Sequence, residues 1–167
     1  MFEAPILDTR RFTACAERVE GSLRPDLISA LEGSLHGHEG EIHWTVQGGA
    51  DGQGRREIRI AVSGFLWLTC QRCLQGVRFD LDSHSILRLV EREDELPDLE
   101  DEDEAIETMV LPDKLVVVDL VSEEVVLALP LAPAHPEGSC ELAKRDGVAR
   151  EGRPHPFAGL GVLKQDN

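Results

Sequence analysis

Cys70-Gln71-Arg72-Cys73 closes the most apolar run of the chain, residues 64–69, and a second pair of potential ligands, His135 and Cys140, lies far downstream. Two thiols at this spacing in a tight turn can converge on one ion, and Zn²⁺ takes four soft or borderline ligands in a tetrahedron. Pro136, Glu137, Gly138 and Ser139 separate His135 from Cys140, a loop sequence able to curl both side chains inward. The 61 residues between Cys73 and His135 far exceed the spacing within a zinc finger. Three readings are therefore open for Cys70, Cys73, His135 and Cys140: a structural Zn²⁺ clamp, side chains packed or solvated without metal, or a thiol–disulfide pair formed by Cys70 and Cys73. Thioredoxin-like thiols sit where a helix begins after a strand, because the helix N-terminus lowers the thiol pKa. Here the motif joins strand to strand.

No other chemistry stands out. His36, His38, His43, His84 and His155 fall in loops or on polar strand faces and read as solvated surface residues. The glycine-rich run at residues 48–54 lacks the Gly-Lys-Ser/Thr ending of a phosphate-binding loop, and no Ser/His/Asp or paired-carboxylate arrangement is present. The expectation is a protein that is not an enzyme.

The elements that must position the four residues read as one α+β domain over residues 1–167, an antiparallel sheet or partly open barrel with flanking helices. Aromatics are only 4% and Tyr is absent, so Val, Leu, Ile and Ala must build the core. Residues 8–33 read as helical: Asp8 can cap a helix with Phe12, Cys15, Ala16 and Val19 on one face and Gly21 at its end, and Pro25 suits the first turn of a second helix closed by Gly33. From residue 41 the period changes to two. Ile42, Trp44 and Val46 alternate with polar residues, residues 48–54 supply a flexible connection, and Ile58, Ile60 and Val62 resume the alternation. After Gly64 the chain is apolar on both faces, as in a central strand or one bent at a bulge. Val77, Phe79, Leu81, Leu87 and Leu89 continue the pattern, so residues 58–69 and 77–89 should pair antiparallel around a turn at residues 70–76.

Residues 108–143 read as short strands, a helix over residues 120–129 capped by Asp119, and the His/Cys loop. Leu120, Val121, Val125 and Leu129 form the inward stripe of that helix, with Ser122, Glu123 and Glu124 facing water. Residues 144–167 read as a polar tail in which Leu160, Val162 and Leu163 can dock an amphipathic turn.

The formal charge is −15, from 32 acidic and 17 basic residues, and residues 91–107 alone hold 11 acids and one Arg. Such a run cannot bury enough apolar surface to order itself, so it reads as a mobile, solvated surface insertion in preference to the alternatives of a nucleic-acid mimic or a Mg²⁺ site, whose geometry consecutive acids lack. Phosphate binding needs Lys and Arg to replace counterions, which argues against extensive contact with naked nucleic acid and for a basic protein partner, with any RNA contact left to a patch such as Arg55, Arg56 and Arg59. The N-terminus has no basic flank or apolar core, and no segment reaches the roughly 18 apolar residues of a membrane helix. The chain reads as cytoplasmic with reduced thiols.

Residues 68–74, Asp119-Leu120 leading into residues 127–133, then His135, Cys140 and the Pro154-His155-Pro156-Phe157-Ala158 tail occur in an order that resembles the YceD family, large ribosomal RNA subunit accumulation proteins of bacteria with plastid relatives. The likeness is strongest over residues 66–143 and at the tail; the first 60 residues match in layout. The resemblance implies a cytoplasmic, non-enzymatic ribosome-biogenesis factor needed for accumulation of 23S rRNA and large subunits. Its partners would be ribosomal proteins or large-subunit assembly intermediates, with weak or indirect rRNA contact and no membrane. It supplies no catalytic residue and no metal ligand. The rival reading is the thiol–disulfide protein.

Overall fold

In a computed structural model, residues 5–97 and 106–140 are described. Two-residue alternation over most of their length generates three long strands, β3 (Leu35–Ala50), β4 (Arg56–Thr69) and β5 (Gly76–Val90). They form the middle of a five-stranded sheet ordered β2-β3-β4-β5-β6, with β2 (Arg18–Leu23) and β6 (Ile106–Val110) at its edges. A separate two-stranded sheet joins β1 (Ile6–Asp8) to β7 (Lys114–Val116). Among the described residues the fold is α+β without a closed barrel.

The expected hairpin is present. β4 and β5 pair antiparallel from Glu57 opposite Arg88 to Thr69 opposite Gly76, and residues 70–75 make the turn. Even positions of β4 and odd positions of β5 point to one face, burying Ile58, Ile60, Val62, Leu66, Leu68, Leu81, Leu87 and Leu89 with Ile42, Trp44 and Val46 of β3. On the other face of central β4, Phe65 and Trp67 are half-buried, and the Arg78 guanidinium lies 4.3 Å from the Phe65 ring centroid. Gly64 bends β4 at φ +143°, where a Cβ would stand 2.0 Å from the Glu41 carbonyl oxygen of β3. Only glycine passes there.

The buried face is closed by α1 (Thr9–Ala14), through Phe12, and by α2 (Val117–Ala128), through Val117, Leu120, Val121 and Val125. The expected stripe on α2 is thus buried, with Leu129 packed at its margin.

Several expectations are corrected. Helix α1 is capped by Asp8, which accepts from the Arg11 N–H at 2.9 Å, but it stops at Ala14, and Cys15 is exposed. Val19 and Gly21 belong to β2, where Gly21 faces Trp44. A Cβ at Gly21 would lie 2.7 Å from the Trp44 ring, so this glycine serves close packing and not a helix end. The second helix is two 3-10 turns, Pro25–Leu27 and Ser29–Leu31. β3 continues through Gly48 and Gly49, and the reversal falls at residues 51–55, where Asp51 accepts from the backbone N–H groups of Gln53 and Arg55. β6 runs parallel to β5, so the sheet is mixed. Helix α2 starts two residues before Asp119, which lies in its first turn and does not cap it. Glu124 does not face water; it is buried and accepts from Ser83 and Ser85 at 2.5 and 2.6 Å.

The acidic run is not one loop. Glu93–Glu95 form a 3-10 turn, Glu91 is bound by Arg10 at 2.6 Å, and Glu107 lies in β6. The Arg10 guanidinium holds the Glu91 carboxyl below the usual range. Residues 98–105 and the tail expectations, including His155, Leu160, Val162 and Leu163, lie outside the described residues.

Candidate metal centre

Thr69 ends β4 one residue before Cys70, so the strand delivers the first thiol to the tip of the hairpin. There the chain closes on itself: the Cys70 N–H donates to the Gln75 carbonyl and the Leu74 N–H to the Cys70 carbonyl, both at 2.9 Å. Leu74 takes the left-handed conformation, φ 61°, that this reversal demands. Cys73 is thereby folded back beside Cys70.

The second half arrives from the segment after α2. Leu129 ends the helix in extended backbone, followed by Pro130, which cannot continue it. Three hydrogen bonds, one from the backbone and two from the Arg72 side chain, then tie the segment to the hairpin tip. The Gln71 N–H donates to the Pro133 carbonyl at 2.8 Å, and the Arg72 guanidinium donates to the carbonyls of His135 and Pro136.

The four predicted residues meet. One ligand atom from each of Cys70, Cys73, His135 and Cys140 lies within 4.8 Å of all the others. Cys70 Sγ is 3.7 Å from Cys140 Sγ, and His135 Nδ1 is 3.5 Å from Cys73 Sγ and 3.7 Å from Cys140 Sγ. A tetrahedron with Zn–S of about 2.3 Å and Zn–N of about 2.05 Å has edges of ~3.8 Å between sulfurs and ~3.6 Å between sulfur and nitrogen. Three of the six separations, at 3.5–3.7 Å, match those edges, and the other three are no longer than 4.8 Å.

The imidazole is also correctly fixed. His135 Nε2 lies 3.0 Å from the Gly76 carbonyl, which can only accept, so Nε2 carries the proton and the Nδ1 lone pair is left facing the thiols. A backbone carbonyl that locks the ring tautomer is the usual outer partner of a metal-bound histidine. Burial alone would push the Cys70 thiol up, but hydrogen bonds from the backbone of Cys73, Arg72 and His135 bring it down to about 5. Burial and the neighbouring sulfurs of Cys70 and Cys73 push Cys140 the other way. Three sulfurs and one imidazole nitrogen gathered in this way can hold a soft or borderline cation.

The thiol–disulfide reading is not supported. Cys70 is fully buried, whereas a reactive thiol needs access, and all four cysteines are free. His36, His38, His43 and His84 are exposed, as expected. The proposed RNA patch is occupied by internal pairs: Arg55 binds Asp51 at 2.7 Å, Arg59 binds Glu57, and Arg56 reaches Thr13 Oγ1 at 3.0 Å. Sequence reasoning missed Arg72 and the Gly76 carbonyl as supports of the centre, and no pattern in the chain announces them. It also missed Glu124, although its position three residues after Val121 and four after Leu120 placed it on the inward face.

A family model described as "Large ribosomal RNA subunit accumulation protein YceD" matches residues 58–164, more than half of the chain. The chain belongs to the YceD family. A Haemophilus influenzae protein described as large ribosomal RNA subunit accumulation protein YceD is 34% identical over 104 residues, which cover 59% of this chain and 59% of that relative. No solved structure matches the chain. The YceD match contains all four residues of the Cys/His cluster, β4 from Ile58 onward, β5 and α2. Among the described residues, no helix is long and apolar enough to cross a membrane.

Proposed function

We propose that this YceD-family chain is a cytoplasmic, non-catalytic factor that promotes accumulation of the large-subunit ribosomal RNA through protein contacts, with Cys70, Cys73, His135 and Cys140 holding a structural Zn²⁺. The observation that carries this reading is the family match over residues 58–164, within which the whole cluster falls. Three sulfurs and one imidazole nitrogen at tetrahedral separations favour Zn²⁺ over harder cations. The ion would fasten the hairpin tip to the segment after α2, a structural task that requires no open coordination position. Protein contacts are favoured over bare RNA because the chain carries −15 and each arginine of the candidate RNA patch already has an internal partner.

The test is a deletion strain together with metal analysis of the purified protein. Deletion should lower mature 23S rRNA and large subunits relative to small ones, and protein purified without chelator should carry one zinc per chain. Normal subunit ratios would remove the ribosomal role, and a metal-free protein that gains no stability from added zinc would remove the clamp.

A further inference from the structure

A cavity of about 750 Å³ lies between α2 and the edge strand β6, and none of the four cluster residues lines it. Met109 of β6 and Leu127 of α2 give it apolar walls, and Leu127 is 76% exposed. Its neighbour Val126, 39% exposed, also lines the cavity, so two adjoining aliphatic side chains are left open there as one apolar patch. The charged lining is one-sided: Glu107, Asp119, Glu123 and Glu124 against Lys114. Among the described residues none of these four carboxylates takes part in an ion pair. Glu124 is set into the wall, 7% exposed, and accepts from the hydroxyls of Ser83 and Ser85.

We propose that this groove docks a basic amphipathic segment of a partner protein, with apolar side chains against Met109 and Leu127 and Lys or Arg side chains on Glu107, Asp119 and Glu123. This deepens the protein-contact reading above and rests on it. The carboxylates repel phosphate, which removes RNA and anionic lipid as occupants, while the apolar walls disfavour a simple hydrated cation. A cavity of this size takes several side chains of one peptide. Charge complementarity sets the partner's sign, and the apolar walls require alternating character along it.

The probe is a short, fluorescently labelled helical peptide with Leu on one face and Lys on the other, titrated into the full-length protein. It should bind with salt-sensitive affinity. The double variant Glu123→Lys/Leu127→Ser, which alters only exposed positions, should weaken binding roughly tenfold or more. Glu39→Lys, on exposed surface outside the groove, makes the same charge change and should have little effect. Equal loss in both variants, or equal affinity for a peptide carrying Ser in place of Leu, would overturn the groove as a docking site. Tighter binding after Phe157→Ser would make the chain's own tail the occupant and would equally overturn it. In a deletion strain the double variant should fail to restore 23S rRNA. Full restoration sinks the groove but leaves the ribosomal role standing, whereas a deletion without effect on rRNA sinks that role and leaves the peptide measurement to stand by itself.

Discussion

Cys70 shows how much one side chain depends on its surroundings. Its sulfur is fully buried, yet hydrogen bonds from the turn hold the thiol at about 5, so at neutral pH it is a thiolate placed for a cation. Cys70→Ser should therefore abolish zinc retention and lower the melting temperature by about 10 °C, the effect of losing roughly 3 kcal/mol in a chain of this size. Chelator should lower the wild-type melting temperature and leave that of the variant unchanged. Cys15→Ser, on an exposed thiol outside the cluster, should match wild type in both measurements. The meeting of Cys70, Cys73, His135 and Cys140 was legible in the sequence because the residue types are few and chemically restricted. Cys15 was misplaced because a helical stripe extrapolated past Ala14 turns an exposed residue inward. Glu124 was misplaced for the opposite reason: its charge was weighed above its spacing, and the two serines that satisfy it lie on another element, 39 and 41 residues away.

At the level of elements, the central hairpin was readable because two-residue alternation persists over most of β4 and β5, and the turn is too short for any crossover. The front end was not. Gly21 reads locally as a helix stop, but what decides its structure is the Trp44 ring on the neighbouring strand, and that contact has no local signature. Gly64 offers the sharper test of how the sheet is held. Gly64→Ala places a methyl group against the Glu41 carbonyl in a backbone conformation that L residues avoid, so it should cost roughly 2–4 kcal/mol in urea unfolding. Gly49→Ala, also in β3–β4 pairing but with nothing within 4 Å of the added Cβ, should stay within about 0.5 kcal/mol of wild type. Equal effects would show that the close approach at Gly64 carries no strain.

For the whole molecule, the net charge of −15 sets the kind of partner. Binding to naked rRNA should be weak, and binding to a basic ribosomal protein or pre-ribosomal particle stronger and lost as salt rises, measured by filter binding and co-sedimentation over a salt series. Tight sequence-specific binding to free rRNA would refute the charge argument. The parallel return of β6 was invisible in the sequence, since five residues carry no sign of strand direction; only the neighbour decides it. That return gives the acidic run a geometric task. An antiparallel neighbour needs a two-residue loop, whereas a strand that comes back parallel needs a dozen or more residues to regain the starting end. Fifteen residues separate Val90 from Ile106, little above that minimum. The segment is thus constrained from below and almost unconstrained from above, because doubling its length costs only about 0.6 kcal/mol in closure entropy.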